Sequence, residues 1–142
     1  VRPRPTPETF WLREASRRPG IIPLLADRDL TDRGVEVDLC GHRARMAPGA
    51  AALALAERRP LYPVTIRHER RGSGWGVVIT FHQQVPVPET GTTRERATAM
   101  TQACADALGT VITQHTSDWH MMQRVFIDDL DPARLPVAHG AA

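Results

Sequence analysis

Hydrophobic and polar residues alternate most regularly in two stretches near the middle of the chain. Residues 61–69 form the first stretch, and residues 75–82 place four large apolar side chains on one face, Trp75, Val77, Ile79 and Phe81. A period of two is typical of a β-strand with one buried face. Because an Arg-Gly-Ser-Gly sequence separates the stretches, the pattern predicts a β-hairpin.

A helical period occurs in two further segments. Residues 48–59 are rich in alanine and have a proline near the start, which favours a compact helix. Thr92 and Glu95 have the spacing of a capping box, which predicts the start of a long helix over about 93–115. Its apolar stripe is Ala97, Met100, Cys104, Leu108, Val111 and Ile112.

The remaining elements are shorter. Residues 21–26 are continuously apolar, which predicts a strand covered on both faces, although Pro23 is unfavourable there. Residues 34–46 alternate and turn at Cys40-Gly41, so two short strands are expected. Short helices are predicted over residues 11–20 and 117–126.

This order of elements predicts an α/β fold with a mixed sheet flanked by helices. The chain of 142 residues is long enough for one domain. We expect an extended or disordered lead-in with a short helix over residues 1–20, the α/β domain over 21–135, and a tail over 136–142.

The composition indicates a soluble globular protein, with 42% hydrophobic and 24% charged residues. No apolar run approaches the roughly 18 residues of a membrane span, and the first residues lack a signal-peptide core. Any membrane contact is therefore expected to be peripheral. The two cysteines, Cys40 and Cys104, are expected to be small buried residues rather than a disulfide framework.

The charges are unevenly distributed. All 18 basic residues are arginine; residues 1–71 have a net charge of +5 and residues 72–142 a net charge of −3. A basic first half suits phosphates or anionic lipid headgroups, and a solvated mixed surface is the alternative. Nucleic-acid binding is disfavoured, because aromatic residues are not interleaved with the arginines.

Common catalytic motifs are absent from the sequence. It contains no phosphate-binding loop, dinucleotide fingerprint, nucleophile elbow or zinc-protease motif. No histidine has an acidic residue five positions downstream, so an H-x4-D pair does not occur, and no histidine pair has metal-ligand spacing beside a carboxylate. The six histidines are His42, His68, His82, His115, His120 and His139.

Asp27-Arg28-Asp29 is the most distinctive polar sequence, and it follows the apolar run at 21–26. Ligands of α/β proteins usually bind where strands end, so a carboxylate there could orient an imidazole, and an arginine could hold a phosphate. The structural alternative is an acid–arginine pair that pins the loop. A turn is expected in either case, with Asp29 fixing it through a backbone or arginine contact.

Residues 117–124, SDWHMMQR, form a second distinctive sequence. Trp119 and His120, followed by two methionines, would provide a soft apolar surface with one titratable group. This surface could form the wall of a lipid or headgroup pocket. The structural alternative is a short helix that packs its aromatic residue on the domain.

Residues 24–54 (LLADRDLTDRGVEVDLCGHRARMAPGAAALA) and 117–135 (SDWHMMQRVFIDDLDPARL) together resemble the C-terminal half of actinobacterial phosphatidylinositol mannoside acyltransferases. These belong to the lipid A biosynthesis (lauroyl/myristoyl) acyltransferase superfamily. The resemblance extends over about residues 10–135, and the D-R-D-L-T, G-V-E-V-D and D-W-H-M-x-Q sequences carry it together.

The resemblance implies an acyl-CoA co-substrate, a glycolipid acceptor, no bound cofactor or metal, and a peripheral enzyme on the cytoplasmic face of the plasma membrane. It also implies a catalytic histidine in an H-x4-D motif, which this sequence lacks. The chain is therefore expected to be a C-terminal fragment, a truncated product or one part of a split enzyme. The missing N-terminal half is then an expected partner.

The same resemblance suggests roles for individual residues. Asp27 would orient the missing histidine, and Arg28 and Asp29 would shape the same pocket. Trp119 and His120 are the other candidate substrate-binding residues. A non-catalytic α/β module that binds lipid or a partner protein remains the alternative function.

Overall fold

The computed structural model describes residues 12, 14–15, 17–29 and 34–130. Residues 12, 14 and 15 are helical, within the short helix predicted over 11–20. Four strands, two further helices and two 3₁₀ turns have described bounds. These are β1 (Val35–Leu39), β2 (His42–Met46), α1 (Gly49–Glu57), β3 (Val64–Arg71), β4 (Gly74–Phe81), α2 (Thr93–Gln114) and the 3₁₀ turns Thr116–Asp118 and Ile127–Asp129.

Strands β1 and β2 form an antiparallel pair joined by a two-residue turn. Cys40 and Gly41 have φ angles of 56° and 80°, the left-handed conformation that a tight hairpin turn requires. Asp38 stabilises the turn, because its Oδ1 accepts a hydrogen bond from the Gly41 N–H at 3.0 Å. The predicted strand pair over 34–46 is confirmed.

Helix α2 begins at the predicted capping box. Thr92 Oγ1 accepts from the Glu95 N–H at 3.2 Å, and Glu95 Oε2 accepts from the Thr92 N–H at 2.7 Å. The fully buried face of the helix is slightly rotated from the predicted stripe, since Cys104 and Leu108 are only half-buried. Its buried residues are Ala97, Met100, Thr101, Ala105 and Gly109.

Small residues let α2 approach its neighbours closely. A Cβ atom at Gly109 would lie 3.3 Å from the Cys40 amide nitrogen, so the helix backbone lies directly against the β1–β2 turn. Gln102 adds two hydrogen bonds of 2.9 Å to β1, accepting from the Asp38 N–H and donating to its carbonyl. Helix α2 therefore covers β1 both by packing and by hydrogen bonding.

Two hydrophobic clusters meet on α2. The first joins α2 to the β1–β2 sheet and to the segment after α2, with Val37, Leu39, Ala44, Met46, Ala105 and Val125 buried. The second joins α2 to α1 and the loop after β4, with Ala51, Ala54, Val85, Ala97 and Met100 buried. Because one helix contributes to both clusters, α2 is the central element of the described structure.

The predicted hairpin is also confirmed, as β3 and β4 pair antiparallel from Val64↔Phe81 to Arg71↔Gly74. A hairpin usually turns its apolar face toward the core, and this hairpin turns it toward solvent. The four apolar side chains that the sequence placed on one face of β4 do share that face, and all of them are exposed to solvent. The opposite face includes the half-buried Thr65 and Val78.

The α/β class is confirmed, with a different sheet arrangement. The described strands form two separate antiparallel pairs rather than one mixed sheet. Residues 21–26 are not a strand, because no strand among the described residues pairs with them. Residues 117–126 contain the end of the 3₁₀ turn Thr116–Asp118 and otherwise irregular chain rather than a helix. Of the predicted lead-in and tail, residues 1–11, 13, 16 and 136–142 lie outside the described residues.

The burial of each leucine predicts how much its removal lowers the free energy of unfolding. Leu39→Ala should lower the free energy of unfolding by about 2–5 kcal/mol, because Leu39 is only 1% exposed in the first cluster. Leu25→Ala, a matched change at a residue that is 89% exposed, should change it by less than about 0.5 kcal/mol. Leu108→Ala should fall between them. Urea denaturation measures all three, and equal losses at Leu39 and Leu25 would contradict the assignment of the core.

Candidate functional site

Asp27 and Trp119 are in direct contact, although they are 92 positions apart. The indole Nε1–H of Trp119 donates a hydrogen bond to Asp27 Oδ2 at 3.3 Å, and both residues are half-buried. The structure therefore brings together the Asp27-Arg28-Asp29 sequence and residues 117–124. This contact is the centre of the candidate site.

The segment that carries Trp119 is held in place by packing and strand pairing. The Trp119 ring packs edge-on against Phe126, with ring centroids 6.2 Å apart. Phe126 forms an isolated bridge with Ala44 of β2, and the Arg45 N–H donates to the Val125 carbonyl at 3.2 Å. These contacts join the segment to the first hydrophobic cluster, which fixes the direction of the indole N–H.

Asp29 holds the loop that follows Asp27. Its Oδ2 accepts a hydrogen bond from the Gly34 N–H at 2.6 Å. A Cβ atom at position 34 would lie 2.5 Å from the same oxygen, so this approach requires glycine. The predicted backbone contact of Asp29 is thus present, while residues 30–33 of the loop lie outside the described residues.

The other two candidate residues are less closely tied to the site. Arg28 is half-buried and His120 is exposed. Within the part of the chain that the structure describes, no hydrogen bond joins Arg28 or His120 to the Asp27–Trp119 pair. Their assignment to substrate binding stays a prediction.

A histidine–aspartate pair close to this site was missed by the sequence reasoning. His68 Nδ1 lies 3.3 Å from Asp118 Oδ1, and the His68 backbone N–H donates to Asp118 Oδ2 at 3.2 Å. An ionised carboxylate only accepts hydrogen bonds, so this contact places a ring proton on Nδ1. The two residues are 50 positions apart, and no local spacing rule could have paired them.

The geometry of this pair fits a structural role. Asp118 uses one oxygen for a backbone amide of β3 and the other for the ring, which attaches the 3₁₀ turn Thr116–Asp118 to the edge of the hairpin. Burial would raise the pKa of the Asp118 carboxyl. The hydrogen bonds from His68 outweigh burial, so the net pKa lies below the ordinary aspartate value.

Two open grooves of the described structure lie away from the Asp27–Trp119 contact. Their volumes are about 440 Å³ and 350 Å³. The larger is lined by Glu36, Arg94, Glu95, Thr98, Ala99 and Gln102, and the smaller by Asp38, Cys40, Gly41, Ala105, Asp106, Gly109, Thr110 and Thr113. Asp27 and Trp119 line neither of these two grooves.

Neither a metal centre nor a membrane span is found in the described regions. Among residues 12, 14–15, 17–29 and 34–130, no group of three histidine, cysteine, aspartate or glutamate side chains is placed to hold a metal ion. No helix within these ranges is both long enough and apolar enough to cross a bilayer.

The cysteines differ from the expectation of full burial, since both are half-buried free thiols. Cys40 lies at the β1–β2 turn, with its Sγ 3.7 Å from the Gly109 carbonyl oxygen. Burial raises the pKa of Cys104 to about 11. The thiolate is the nucleophilic form of cysteine, so Cys104 is poorly suited to nucleophilic catalysis at neutral pH.

The pKa of Asp118 predicts a loss of stability in acid. A carboxyl whose pKa is lowered by folding stabilises the folded state above its unfolded pKa, and this contribution is lost as the pH falls through the folded pKa. The difference in unfolding free energy between the native chain and Asp118→Asn should therefore narrow between about pH 6 and pH 3. Urea denaturation at both pH values measures it. A difference that does not change with pH would contradict the assigned hydrogen bonds.

The raised pKa of Cys104 predicts slow alkylation. In a Cys40→Ser variant, which leaves one thiol, maleimide labelling near pH 7 should be roughly 10²-fold slower in the folded chain than in denaturant. The physical reason is the small thiolate fraction, of the order of 10⁻⁴, at four units below a pKa of about 11. Equal labelling rates would show that Cys104 is accessible and ionises normally.

Comparison with known proteins identifies the family. The family model of the bacterial lipid A biosynthesis acyltransferases matches residues 12–127. The chain is 40% identical over 131 residues to a phosphatidylinositol mannoside acyltransferase of Mycolicibacterium smegmatis, covering 92% of this chain and 40% of that protein. It is 37% identical over 123 residues to the protein of the same name from Mycobacterium tuberculosis strain H37Rv, covering 87% of this chain and 36% of that protein.

The matched region is thus about two fifths of the length of these curated relatives. It nevertheless includes Asp27, Trp119 and both strand pairs, so the family match extends over all the described elements up to the second 3₁₀ turn. The resemblance found from the sequence is confirmed. The chain belongs to the bacterial lipid A biosynthesis acyltransferase family.

Proposed function

We propose that this chain is the C-terminal portion of an acyl-CoA-dependent O-acyltransferase that acts on a mannosylated phosphatidylinositol glycolipid. The observation that carries the proposal is the hydrogen bond between Trp119 and Asp27. It joins the two sequences that most resemble the family into one half-buried wall. The names of the two mycobacterial relatives support the acceptor class.

In this proposal Asp27 orients a histidine that the rest of the catalytic domain supplies. The histidine takes the proton from an acceptor hydroxyl, whose oxygen attacks the thioester carbonyl carbon of acyl-CoA. The carbon–sulfur bond then breaks, and coenzyme A leaves as a thiol with the proton returned by the histidine. A carboxylate beside the imidazole favours its protonated form during this transfer.

Trp119 would fix the direction of the Asp27 carboxylate. Its N–H occupies one lone pair of Oδ2, which leaves Oδ1 for the imidazole. Arg28 and Asp29, on the same loop, would contribute to the acceptor side, and His120 would lie next to the wall. The enzyme would work as a peripheral protein on the cytoplasmic face of the plasma membrane, without a bound cofactor or metal.

A second candidate function is a non-catalytic module that binds lipid or a partner protein. The lack of an H-x4-D sequence in this chain favours it. The two functions differ in the role of Asp27: a module needs it only to hold the Trp119 segment, and an enzyme needs its charge.

The proposal predicts that this chain alone does not catalyse acyl transfer or acyl-CoA hydrolysis. The expected reason is that its residues can position a hydroxyl group but cannot activate it without the family histidine. Release of free thiol from acyl-CoA, measured with a thiol reagent, should equal the buffer blank. Release above the blank that is abolished by mutating a residue of this chain would reveal a base that we have not identified.

Fusion to the N-terminal part of the M. smegmatis relative should restore transfer, and Asp27→Asn should then lower kcat roughly 10²-fold with little change in KM. The amide keeps an oxygen for the Trp119 N–H but cannot stabilise an imidazolium. Initial rates with acyl-CoA and a mannosylated phosphatidylinositol acceptor measure both constants.

Trp119→Phe in the same fusion is the matched control, since it keeps an aromatic ring and removes the hydrogen bond to Asp27. It should lower kcat less than Asp27→Asn, by roughly tenfold or less. If Asp27→Asn turns over as fast as its parent, the orienting role is wrong and Asp27 only holds the Trp119 segment.

A further inference from the structure

The hairpin of β3 and β4 exposes an apolar surface that has the pattern of a buried sheet face. Directly paired residues of an antiparallel pair share a face, and the pairs Val64↔Phe81 and Ile66↔Ile79 extend it across both strands. Trp75 is 70% exposed and Ile66 is 60% exposed. We call this surface the hairpin face; its large apolar residues are Val64, Ile66, Trp75, Val77, Ile79 and Phe81.

The outer edge of the hairpin is also open. Within the described part of the chain, β4 pairs with β3 and with no other strand. β3 differs, because the Asp118 carboxylate accepts from the His68 N–H at its outer edge. A long edge next to an apolar face is a surface that proteins normally cover or pair.

A second apolar segment is also exposed to solvent. Residues 21–26 have a strand-like sequence but form no regular element, and no strand in the described ranges pairs with them. Ile21 and Leu25 are 79% and 89% exposed. One short apolar loop could be an ordinary surface feature. The hairpin face and residues 21–26 are both apolar and both uncovered. Together they indicate that a larger polypeptide packs on them.

We propose that the hairpin face and the outer edge of β4 form the docking surface for the rest of the acyltransferase domain, which contributes a strand to β4 and apolar side chains to the hairpin face. The observation that identifies the occupant is the family match. The matched region is 40% of the M. smegmatis relative, so roughly three fifths of that protein lies outside it. The proposal holds whether this part is joined to the chain or is a separate polypeptide.

The chemistry of the surface favours a polypeptide over a bilayer. Lipid hydrocarbon would cover the apolar side chains but cannot hydrogen-bond the backbone groups at the β4 edge. A strand satisfies both requirements at once. A second copy of this chain is the other polypeptide that could cover the hairpin face, and the test distinguishes it.

The test is co-expression of the full chain with a tagged polypeptide that comprises the part of the M. smegmatis relative preceding the matched region. Ile79→Glu puts a charge on the hairpin face. Thr80→Glu puts the same charge on the next residue, which is also exposed and points to the opposite face. Circular dichroism checks that both variants keep the fold of the native chain.

The native chain and Thr80→Glu should co-purify with the tagged polypeptide, and Ile79→Glu should reduce recovery roughly tenfold or more. Amide hydrogen exchange of β4 should slow at least about tenfold in the complex, because its outer N–H groups become paired. Loss of binding in both variants, or in neither, would overturn the proposal.

Three further outcomes would also overturn it. The first is failure to recover the tagged polypeptide with the native chain. The second is a dimer of the native chain that Ile79→Glu dissociates while the tagged polypeptide stays unbound. The third is binding to anionic phospholipid vesicles that Ile79→Glu abolishes while the tagged polypeptide does not bind. The assay measures binding, so a complex that forms without transferring acyl groups would count against the proposed function and not against the docking surface.

Discussion

The packing of α2 against β1 is the contact on which the rest of the described structure depends. Ala105 and Gly109 bring the helix backbone against the β1–β2 turn, and Gln102 hydrogen-bonds both backbone groups of Asp38. The same helix turns Ala97 and Met100 toward α1. Removal of α2 would expose both hydrophobic clusters, so each cluster exists only because the helix lies between them.

The candidate site depends on this packing indirectly. The segment after α2 packs on the first cluster through Val125 and lies beside β2 through Phe126. This arrangement places the Trp119 indole where it can reach Asp27. The site is thus attached to the first hydrophobic cluster on the side of β2.

The β3–β4 hairpin turns its less apolar face toward the rest of the described structure, whereas most sheets bury their apolar face. Its partly buried face carries Thr65 and Val78, while its large apolar side chains point to solvent. Two hydrogen bonds join it to the 3₁₀ turn after α2, because the Asp118 carboxylate accepts from the His68 backbone N–H and contacts the His68 ring. A hairpin of two strands has little stability of its own. Whether the hairpin stays folded therefore depends on these contacts and on any cover over the hairpin face.

The sequence alone determined most of the local elements and the family. Alternation identified β3 and β4, the capping box located the start of α2, and the Cys40-Gly41 turn was recognised from its residues. Each of these depends on contacts between neighbours in the chain, which a local pattern records directly. The backbone contact of Asp29 with Gly34 could be predicted for the same reason, because the two residues are only five positions apart.

The tertiary structure decided which apolar surfaces are buried and which distant residues meet. Period-two alternation shows that one face of β4 is apolar, but only the neighbouring elements determine whether that face is covered. Residues 21–26 are not a strand because a strand needs a partner to satisfy its backbone groups. The pairs Asp27–Trp119 and His68–Asp118 are 92 and 50 positions apart, and long-range contacts of this kind follow from packing and not from spacing along the chain.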